Sequence, residues 1–500
     1  MSTSPATVQI SDLMETSGVK FGTSGARGLV SDMTDRVCYA YTLAFLQHLE
    51  NLGELTSGQA VGIAFDYRPS SPAIMIACCQ AIVDAGYSPL NAGQVPTPAI
   101  ALYGIQHNIP TLMITGSHIP DDRNGIKFYR PGGEILKSDE QSIREQTVSL
   151  PHGLFDDKGM LAHPAAIPVV DETTHREYVK RFTEFCPPNA LQGMKVAVYQ
   201  HSSVASRSLM EILASLGATT IPLGHSDRFI PVDTEAVRQE DIELAKKWAG
   251  EHRYDAIVST DGDGDRPLIG DENGTWLRGD IVGILCANYL SADVVVTPIS
   301  SNTAVEKSGF FKQVLRTRIG SPYVIEAMQQ AAAQNSLHTV IGYEANGGFL
   351  TQTNASVTGR DLFPLPTRDA VLPILAILHL TMLNQCTVSA LVDELPARFS
   401  HSDRIKGVPT ELSQKKLEEL QKSDASEFIH ELSAYYDGEV GDIQNIDMTD
   451  GLRATLSSGN IFHLRPSGNA PELRCYTEAD TEETAQKLNR ACIEVMRAWG

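Results

Sequence analysis

The chain has 500 residues, of which 42% are hydrophobic and 20% are charged, a balance that is ordinary for a globular protein. At about 100–200 residues per domain, this length predicts three to four domains. Lysine and arginine number 40 against 61 aspartates and glutamates, which gives a formal net charge of −21. So acidic a chain argues against nucleic acid or an anionic membrane as the main partner. An anionic ligand must therefore meet basic groups that are concentrated in one pocket.

The composition also predicts where the protein works. The first 17 residues lack the basic start and apolar core of a signal peptide, and we expect them to form a loose polar tail. The longest apolar run, AVLPILAILHLTML at residues 370–383, is too short to span a bilayer and predicts a buried helix. Eight scattered cysteines show neither CxxC nor zinc spacing, which favours idle thiols in a reducing compartment. We therefore expect a cytoplasmic protein that binds no membrane.

Strand, turn and helix patterns repeat along most of the chain. The apolar run at residues 60–65 predicts a strand, and a helix follows over 72–85. A second unit has a predicted strand at 194–199 and a helix at 207–216, and a third unit begins at residue 294. Such repeats predict the α/β fold class, with three related α/β domains whose mixed sheets are flanked by helices.

Changes in composition place the domain boundaries. Proline, glycine and aspartate are frequent over residues 150–168, and the apolar repeat is lost over residues 396–410. We expect four domains, at residues 1–168, 169–277, 278–392 and 393–500. The last and smallest has a predicted charged helix at 411–420, several strands and a closing amphipathic helix at 481–498.

Two stretches of the first domain combine basic residues with groups that bind oxyanions. VKFGTSGARGL, residues 19–29, is rich in glycine, so its N–H groups suit an anion, although a flexible connector looks the same. TGSHIPDDRNGIKFYR, residues 115–130 (the serine loop), follows a predicted strand at 110–114. It carries a hydroxyl, an imidazole, an arginine and a lysine, a set that favours a site for negatively charged groups. An ordinary surface turn is the alternative.

The sequence DGDGDR, which begins at Asp261 (the metal loop), predicts a metal site. Asp261, Asp263 and Asp265 alternate with glycines, so their carboxylates can converge on one hard cation. Mg²⁺ is favoured if the chemistry involves phosphate. An EF-hand is a rival because Glu272 is the twelfth residue, but Arg266 stands where that motif requires glycine. A solvated acidic turn is the remaining alternative.

Two later loops have the composition of ligand-binding loops. GYEANGG, residues 342–348 (the sugar loop), offers a carboxylate and an amide to sugar hydroxyls, unless it is a plain turn. RPSGNAPELR, residues 465–474 (the phosphate loop), places a Ser-Gly-Asn turn between two arginines, which suits a phosphate dianion.

Together, the four loops resemble those of the α-D-phosphohexomutase family, whose members interconvert 1-phospho and 6-phospho sugars. The resemblance covers essentially the whole chain and implies three α/β domains and a TATA-box-binding-protein-like α+β domain around a central cleft. It implies that Ser117 carries a phosphoryl group and, with the three aspartates, binds Mg²⁺. The residues that we assign to catalysis are Ser117, His118, Lys127, Arg27 and Arg266. The residues that the resemblance assigns to the substrate are Glu344, Asn346, Arg465, Ser467, Gly468, Asn469 and Arg474.

The resemblance implies an isomerase that moves phosphate between O1 and O6 of a hexose phosphate. The reaction would pass through phosphoserine and a hexose 1,6-bisphosphate, which also serves as activator. We favour mannose phosphate because the whole chain looks most like bacterial phosphomannomutases; glucose, glucosamine and N-acetylglucosamine phosphates are the alternatives. A metal-dependent sugar phosphatase is a further alternative. A serine hydrolase is disfavoured because the chain lacks a G-x-S-x-G elbow.

Three loops depart from the family pattern. The serine loop commonly reads Ala-Ser-His-Asn-Pro, whereas this chain has Gly116 and Ile119. Many sugar loops end in histidine where this chain has Gly348, so no acid–base role of that histidine carries over. The phosphate loop usually has threonine where Asn469 stands. We assign no chemistry to four other polar residues, His201, Asp280, Arg368 and Asp369.

Overall fold

The structure is a computed structural model that describes residues 6–22, 25–164, 166–467 and 472–499. It divides into two compact units. The first comprises residues 1–295 and 320–391, and the second comprises residues 296–319 and 392–500.

A mixed sheet forms the first part of the first unit. In chain order its elements are β1 (Ala6–Gln9), α1 (Ile10–Ser17), β2 (Lys20–Phe21), β3 (Gly25–Leu29), α2 (Asp35–Leu52), β4 (Ala60–Phe65), α3 (Ser71–Asp84), β5 (Ser88–Gly93), α4 (Thr97–His107), β6 (Thr111–Ile114), β7 (Arg123–Arg130), β8 (Gly133–Glu134), α5 (Lys137–Arg144) and β9 (Thr147–Leu150). The strand order is β2-β3-β7-β6-β4-β5, and β8 pairs with β7. Strand β4 is parallel to β5 and β6, whereas β7 is antiparallel to β3 and β6. The predicted mixed α/β sheet is confirmed, and the serine loop follows β6.

The N-terminal segment corrects the prediction of a loose polar tail. Strand β1 pairs antiparallel with β9, and α1 buries Ile10, Leu13 and Met14 in the core. These three apolar residues recur at helical spacing within a polar sequence, so one narrow stripe suffices to dock the helix. The glycine-rich stretch at residues 19–29 also contains the antiparallel pair β2–β3 rather than a continuous loop; its residues 23 and 24 lie outside the described residues.

The second part of the first unit holds the metal loop at the end of a buried strand. Its elements are α6 (Thr173–Phe185), β10 (Lys195–His201), α7 (Ser206–Ser215), β11 (Thr219–His225), α8 (Gln239–His252), β12 (Ala256–Thr260) and β13 (Pro267–Gly270). The strand order is β11-β10-β12-β13, with β13 antiparallel to β12 and the other pairs parallel. The metal loop joins β12 to β13, so the three aspartates follow a strand that is buried along its whole length.

The third segment places the sugar loop in a turn between two strands. Its elements are α9 (Gly279–Tyr289), β14 (Val294–Pro298), α10 (Ala304–Lys307), β15 (Gln313–Thr317), α11 (Ser321–Gln334), β16 (Val340–Tyr343), β17 (Phe349–Thr351), β18 (Ala355–Val357), β19 (Arg360–Leu362), β20 (Leu365–Asp369), α12 (Val371–Asn384) and α13 (Val388–Asp393). Within the first unit, β17 is antiparallel to both β16 and β20. Helix α12 is the predicted buried helix. No helix in the described part of the chain is long and apolar enough to cross a bilayer.

The second unit contains an antiparallel sheet with its own hydrophobic core. Its C-terminal elements are β21 (Phe399–Lys406), α14 (Thr410–Lys422), α15 (Ser426–Tyr435), β22 (Ile443–Asp447), β23 (Leu452–Leu456), β24 (Ile461–Pro466), β25 (Glu472–Ala479) and α16 (Glu482–Arg497). The strand order is β21-β25-β24-β23-β22. The phosphate loop joins β24 to β25. The stretch at 396–410, which loses the apolar repeat, contains the edge strand β21, whose residues are largely exposed or half-buried. The four predicted domain boundaries stay predictions.

Candidate active site

Ser117 lies directly after β6 in a tight turn. Its φ is +56°, in the left-handed region that non-glycine residues seldom adopt, and such strain is concentrated at functional turns. Its Oγ donates a hydrogen bond of 2.7 Å to Oδ2 of Asp261 and lies 3.3 Å from Nδ1 of His118. Its backbone N–H donates to Oγ1 of Thr115 at 2.7 Å. The serine hydroxyl is therefore directed at the metal loop.

Arg68, which the sequence analysis did not single out, holds the serine loop from the inside. Its guanidinium is buried, and its Nε donates to Oδ2 of Asp66 at 3.1 Å. The other two nitrogens donate to four carbonyl oxygens of the serine loop, those of Ser117 (2.9 Å), Ile119 (2.5 Å), Pro120 (2.7 Å) and Arg123 (3.1 Å). Buried carbonyls need hydrogen-bond donors, and Arg68 supplies one to each of these four. Arg68 therefore fixes the turn that presents Ser117.

The three aspartates form a buried cluster that fits a divalent cation. One carboxylate oxygen from each of Asp261, Asp263 and Asp265 lies within 4.8 Å of the others. Within the described residues, Oδ1 of Asp263 and Oδ1 of Asp265 have no hydrogen-bond partner. Buried polar atoms without a hydrogen-bond partner are rare in proteins, and carboxylate oxygens are ligands that Mg²⁺ prefers. Glu272, the last ligand of the rival EF-hand, accepts a hydrogen bond from Ser389 instead.

Lys127 on β7 lies between two of the aspartates. Its Nζ donates to Oδ2 of Asp263 at 2.6 Å and to Oδ2 of Asp265 at 2.5 Å. Burial opposes a charge on Lys127, but the two carboxylates outweigh it and raise its pKa. Burial also opposes ionisation of Asp263, yet Lys127 lowers the pKa of that carboxyl. Burial and the two neighbouring carboxylates raise the pKa of Asp261 well above its usual value.

The other groups predicted for catalysis surround the serine. Nη1 of Arg266 donates to Nδ1 of His118 at 2.8 Å. Burial, followed by the charge of Arg266, lowers the pKa of His118 to about 3, so the imidazole is neutral at pH 7. Burial and the same Arg266 lower the pKa of Arg27 to about 10. Arg27 therefore stays charged at neutral pH. The structure brings all five residues predicted for catalysis into one cluster with the aspartates.

The sugar loop lies beside the metal loop because Arg368 bridges them. Glu344 and Asn346 are both buried, and the carbonyl oxygen of Asn346 accepts a hydrogen bond of 2.7 Å from Oγ1 of Thr234. Arg368 on β20 lies 3.4 Å from Oε2 of Glu344 and 3.2 Å from Oδ2 of Asp265. We assigned no chemistry to Arg368 from the sequence, although it lies near a family motif.

Two departures from the family pattern have the same physical cause. A Cβ atom at Gly116 would lie 2.7 Å from Cζ of Arg68, and a Cβ atom at Gly348 would lie 2.6 Å from Cδ of Arg368. Both separations are shorter than real Cβ contacts. An arginine thus fills the space beside each loop, and glycine is the residue that fits against it.

A row of arginines crosses three strands of the second unit. Arg465 on β24 and Arg404 on β21 both lie opposite Arg474 on β25. Residues directly opposite each other share a face of the sheet, and like charges in such pairs are destabilising without a counter-ion. Two carboxylates offset part of this charge. Nε of Arg465 donates to Oδ2 of Asp450 at 2.9 Å. Oε2 of Glu472 lies 3.5 Å from Nη1 of Arg404 and 3.6 Å from Nη2 of Arg474. The row suits an anion such as a phosphate dianion, and Arg404 is a member that the sequence analysis missed.

The remaining residues predicted for the phosphate loop are only partly described. The backbone N–H of Ser467 donates to the carbonyl of Glu472 at 2.8 Å, which closes the loop at its base. Gly468 and Asn469 lie outside the described residues. The substitution of Asn469 for the usual threonine therefore has no structural account.

Comparison with known proteins identifies the family. The chain matches the four domains of phosphoglucomutase/phosphomannomutase: alpha/beta/alpha domain I over residues 18–151, domain II over 176–274, domain III over 278–399 and the C-terminal domain over 409–495. A phosphomannomutase from Salmonella muenchen is 43% identical over 95% of this chain and 95% of its own, and one from Sinorhizobium fredii is 43% identical over 96% and 99%. A phosphoglucomutase/phosphomannomutase family protein from Burkholderia thailandensis shares the fold, with a TM-score of 0.69 and 18% identity over 95% of this chain and 96% of its own. The chain therefore belongs to the phosphoglucomutase/phosphomannomutase family, the α-D-phosphohexomutases.

Proposed function

We propose that the protein is a phosphomannomutase that transfers a phosphoryl group reversibly between O1 and O6 of mannose. One observation carries the proposal: the Oγ of Ser117 hydrogen-bonds to Asp261 within a buried aspartate cluster. A hydroxyl held there can accept a phosphoryl group beside a cation. Mannose is favoured among the hexoses because the two relatives at 43% identity are phosphomannomutases.

The three aspartates and an oxygen of phospho-Ser117 are the groups that would hold Mg²⁺. When bound, the ion would neutralise the phosphoryl oxygens and polarise the phosphorus for in-line transfer. A phosphoserine brings about −1.5 to −2 charges near pH 7. The Oδ1 atoms of Asp263 and Asp265 support a cation at this position, because they accept no hydrogen bond within the described residues.

The cations around Ser117 serve the transferring group. In the first half of the reaction the Ser117 O–P bond breaks, while a sugar hydroxyl bonds to the phosphorus and gives up its proton. In the second half a sugar O–P bond breaks, while the Ser117 hydroxyl bonds to the phosphorus and gives up its proton, and the released sugar oxygen takes up a proton. Positive charge fixed in a water-poor site stabilises the developing negative charge. Lys127, Arg266 and Arg27 supply that charge. His118 is neutral at pH 7, and its Nδ1, which accepts a hydrogen bond from Arg266, lies 3.3 Å from Oγ of the serine, where it can receive the hydroxyl proton.

Glu344 and Asn346 would bind the sugar hydroxyls, and the arginine row would bind the phosphate that is not reacting. The first transfer produces a hexose 1,6-bisphosphate, which must turn around so that its second phosphate returns to Ser117. The same phosphate loop then receives either end of the sugar in turn. Added hexose 1,6-bisphosphate would act as activator, because it phosphorylates Ser117 directly.

The cellular location belongs to the same proposal. All eight cysteines are free thiols and seven of them are buried, which suits a reducing compartment such as the cytoplasm.

Phosphorus NMR tests the proposal. The purified protein, with Mg²⁺ and a trace of hexose bisphosphate, receives mannose, glucose, glucosamine or N-acetylglucosamine phosphate in parallel. We expect the 1-phosphate and 6-phosphate signals to interconvert, fastest for mannose. Faster conversion of another sugar would reassign the substrate, and inorganic phosphate as the only product would favour the sugar phosphatase.

A further inference from the structure

Arg368 contacts carboxylates from three separate parts of the first unit. Its Nη2 lies 3.2 Å from Oδ2 of Asp265 in the metal loop and 3.6 Å from Oε1 of Glu134 on β8. Its Nη1 lies 3.4 Å from Oε2 of Glu344 in the sugar loop. The arginine is 2% exposed, so these pairs are shielded from water and from salt.

Two of the three carboxylates are fixed by other groups. Glu134 accepts hydrogen bonds from Oγ of Ser321 at 2.6 Å and from Oγ1 of Thr367 at 3.1 Å. Asp265 accepts one from Nζ of Lys127 at 2.5 Å. Nη2 of Arg368 is therefore anchored against two groups that do not depend on it. Nη1 then presents a fixed donor to Glu344.

The sugar loop is built to leave room for this arginine. A Cβ atom at Gly348 would lie 2.6 Å from Cδ and 2.7 Å from Cγ of Arg368. Strands β17 and β20 pair antiparallel with Phe349 opposite Asp369, so Gly348 and Arg368 lie diagonally across this pair. A side chain at residue 348 would displace the stem that carries the guanidinium.

We propose that Arg368 is a positioning residue that aims the carboxylate of Glu344 at the sugar hydroxyls, with Asp265 and Glu134 as its anchors. The inference rests on the proposed function, in which Glu344 binds the hexose. Without the guanidinium, the Glu344 carboxylate loses its ion pair and is repelled by the other buried carboxylates. It then leaves the direction that a hydroxyl requires. Affinity for Mg²⁺ does not fall, because Arg368 also competes with a cation for Asp265.

Calorimetry on three purified variants tests the proposal. Arg368→Met removes the charge, Arg368→Lys keeps the charge with one nitrogen, and Arg130→Met is a control that breaks ion pairs with Glu54 and Asp139 in the same unit. The titrants are Mg²⁺ alone and mannose 1-phosphate with Mg²⁺ present. A hydrogen bond to a charged group contributes enough to predict a loss of at least about tenfold in affinity for mannose 1-phosphate in Arg368→Met.

The predicted pattern is specific. In Arg368→Met, KM rises with the loss of sugar affinity while kcat changes less, and the affinity for Mg²⁺ is kept or increased. Arg368→Lys recovers part of the lost sugar affinity. Arg130→Met binds the sugar like the wild type. Unchanged sugar affinity in Arg368→Met would overturn the proposal. So would a parallel loss of Mg²⁺ binding, which would make Arg368 a support of the metal loop instead.

Gly348→Ala keeps the proposal testable if Arg368→Met does not fold. Its methyl group presses on the arginine stem, so we expect weaker sugar binding in the wild-type background. Gly348→Ala should keep its affinity for Mg²⁺, because the three aspartates and Lys127 are unchanged. Wild-type sugar affinity in this variant would contradict the inference. Failure of the proposed function looks different, since the wild-type protein itself would then interconvert no hexose phosphate.

Discussion

The metal region of the first unit and the arginine row of the second differ in how their charges meet water. Asp261, Asp263 and Asp265 are fully buried, and their positive partner Lys127 is only 4% exposed. In the arginine row, by contrast, the side chain of Arg474 is 36% exposed and that of Arg404 is 51% exposed. One region is closed and its ion pairs are buried, whereas the other is partly exposed and has three arginines against two carboxylates, Asp450 and Glu472.

This difference suits the two roles that we propose for these regions, phosphoryl transfer and binding of the phosphate that does not react. Bond making and breaking requires charges that are already in position, because reorganising them during the reaction raises the barrier. Gripping a phosphate that does not react requires only affinity, and an arginine that stays solvated can release and rebind it. We therefore expect substitutions in the metal region to reduce the rate or the stability, and substitutions in the arginine row to reduce binding.

The largest effect is expected for Ser117→Ala. Loss of the hydroxyl removes the phosphoryl carrier, so mutase activity should fall by at least about 1,000-fold, as for other covalent catalysts that lose their nucleophile. Phosphorus NMR of the hexose phosphates measures the rate. Ser215→Ala, at an exposed position of α7, is the matched control and should keep full activity. Activity that survives in Ser117→Ala would remove the serine from the mechanism.

Arg68→Met should give the next largest effect, on stability. The change leaves Asp66 buried without its ion pair and removes a buried donor from four carbonyl oxygens of the serine loop, so we expect a loss of about 3–5 kcal/mol in the free energy of unfolding. Urea unfolding followed by circular dichroism measures it. Arg207→Met, whose pair with Glu172 is exposed, should change stability by less than about 1 kcal/mol. Equal effects in the two variants would show that the serine loop does not depend on Arg68.

The two regions share one property, a buried histidine that stays neutral. His201, whose ring pairs with the carbonyl of Thr260, and His463, whose ring pairs with that of Asp450, both have a pKa lowered to about 4 by burial. The unfolded chain takes up these protons near pH 6.5, whereas the folded chain does not. Stability should therefore fall as the pH drops from 6.5 to 4, by roughly 3 kcal/mol for each histidine.

Urea unfolding at several pH values measures this decline. His201→Gln and His463→Gln should each flatten the profile in that window, while His225→Gln, at an exposed position, should leave it unchanged. If neither buried variant flattens the profile, the acid sensitivity lies elsewhere.

The smallest effect is expected in the arginine row. Arg474→Gln removes one charged donor from an exposed site, so KM for the hexose phosphate should rise about tenfold while kcat changes little. Steady-state kinetics measures both constants. Arg490→Gln, at an exposed position of α16, is the control for the loss of charge in the same unit. A fall in kcat with unchanged KM in Arg474→Gln would contradict the expectation that the arginine row contributes to binding and the metal region to the rate.

The sequence singled out the residues that we propose for catalysis but not the residues that hold them in place. Ser117 and the three aspartates lie in short motifs directly after apolar strands, so both their chemistry and their placement are local properties. Arg68, Arg368 and Arg404 reach their partners across tertiary or cross-strand distances, the first from a turn and the other two from edge strands. Nothing in their immediate sequence distinguishes them from other arginines.

The same limit explains why the sequence analysis missed two features of the fold. The polar N-terminal segment docks through only three apolar residues of α1, a stripe too short to stand out from its polar surroundings. The glycine-rich stretch at 19–29 forms strands because β3 pairs with β7, a partner about 100 residues away. Pairing with a distant strand is not visible in local composition.

Mass spectrometry of Ser117 tests the central claim most directly. The purified protein is incubated with Mg²⁺ and hexose 1,6-bisphosphate, freed of ligand, and then mixed with one equivalent of mannose 1-phosphate. We predict one phosphoryl group on Ser117 after the first step and its transfer to the sugar within a single turnover. A protein that converts mannose 1-phosphate while Ser117 is never phosphorylated would contradict the account.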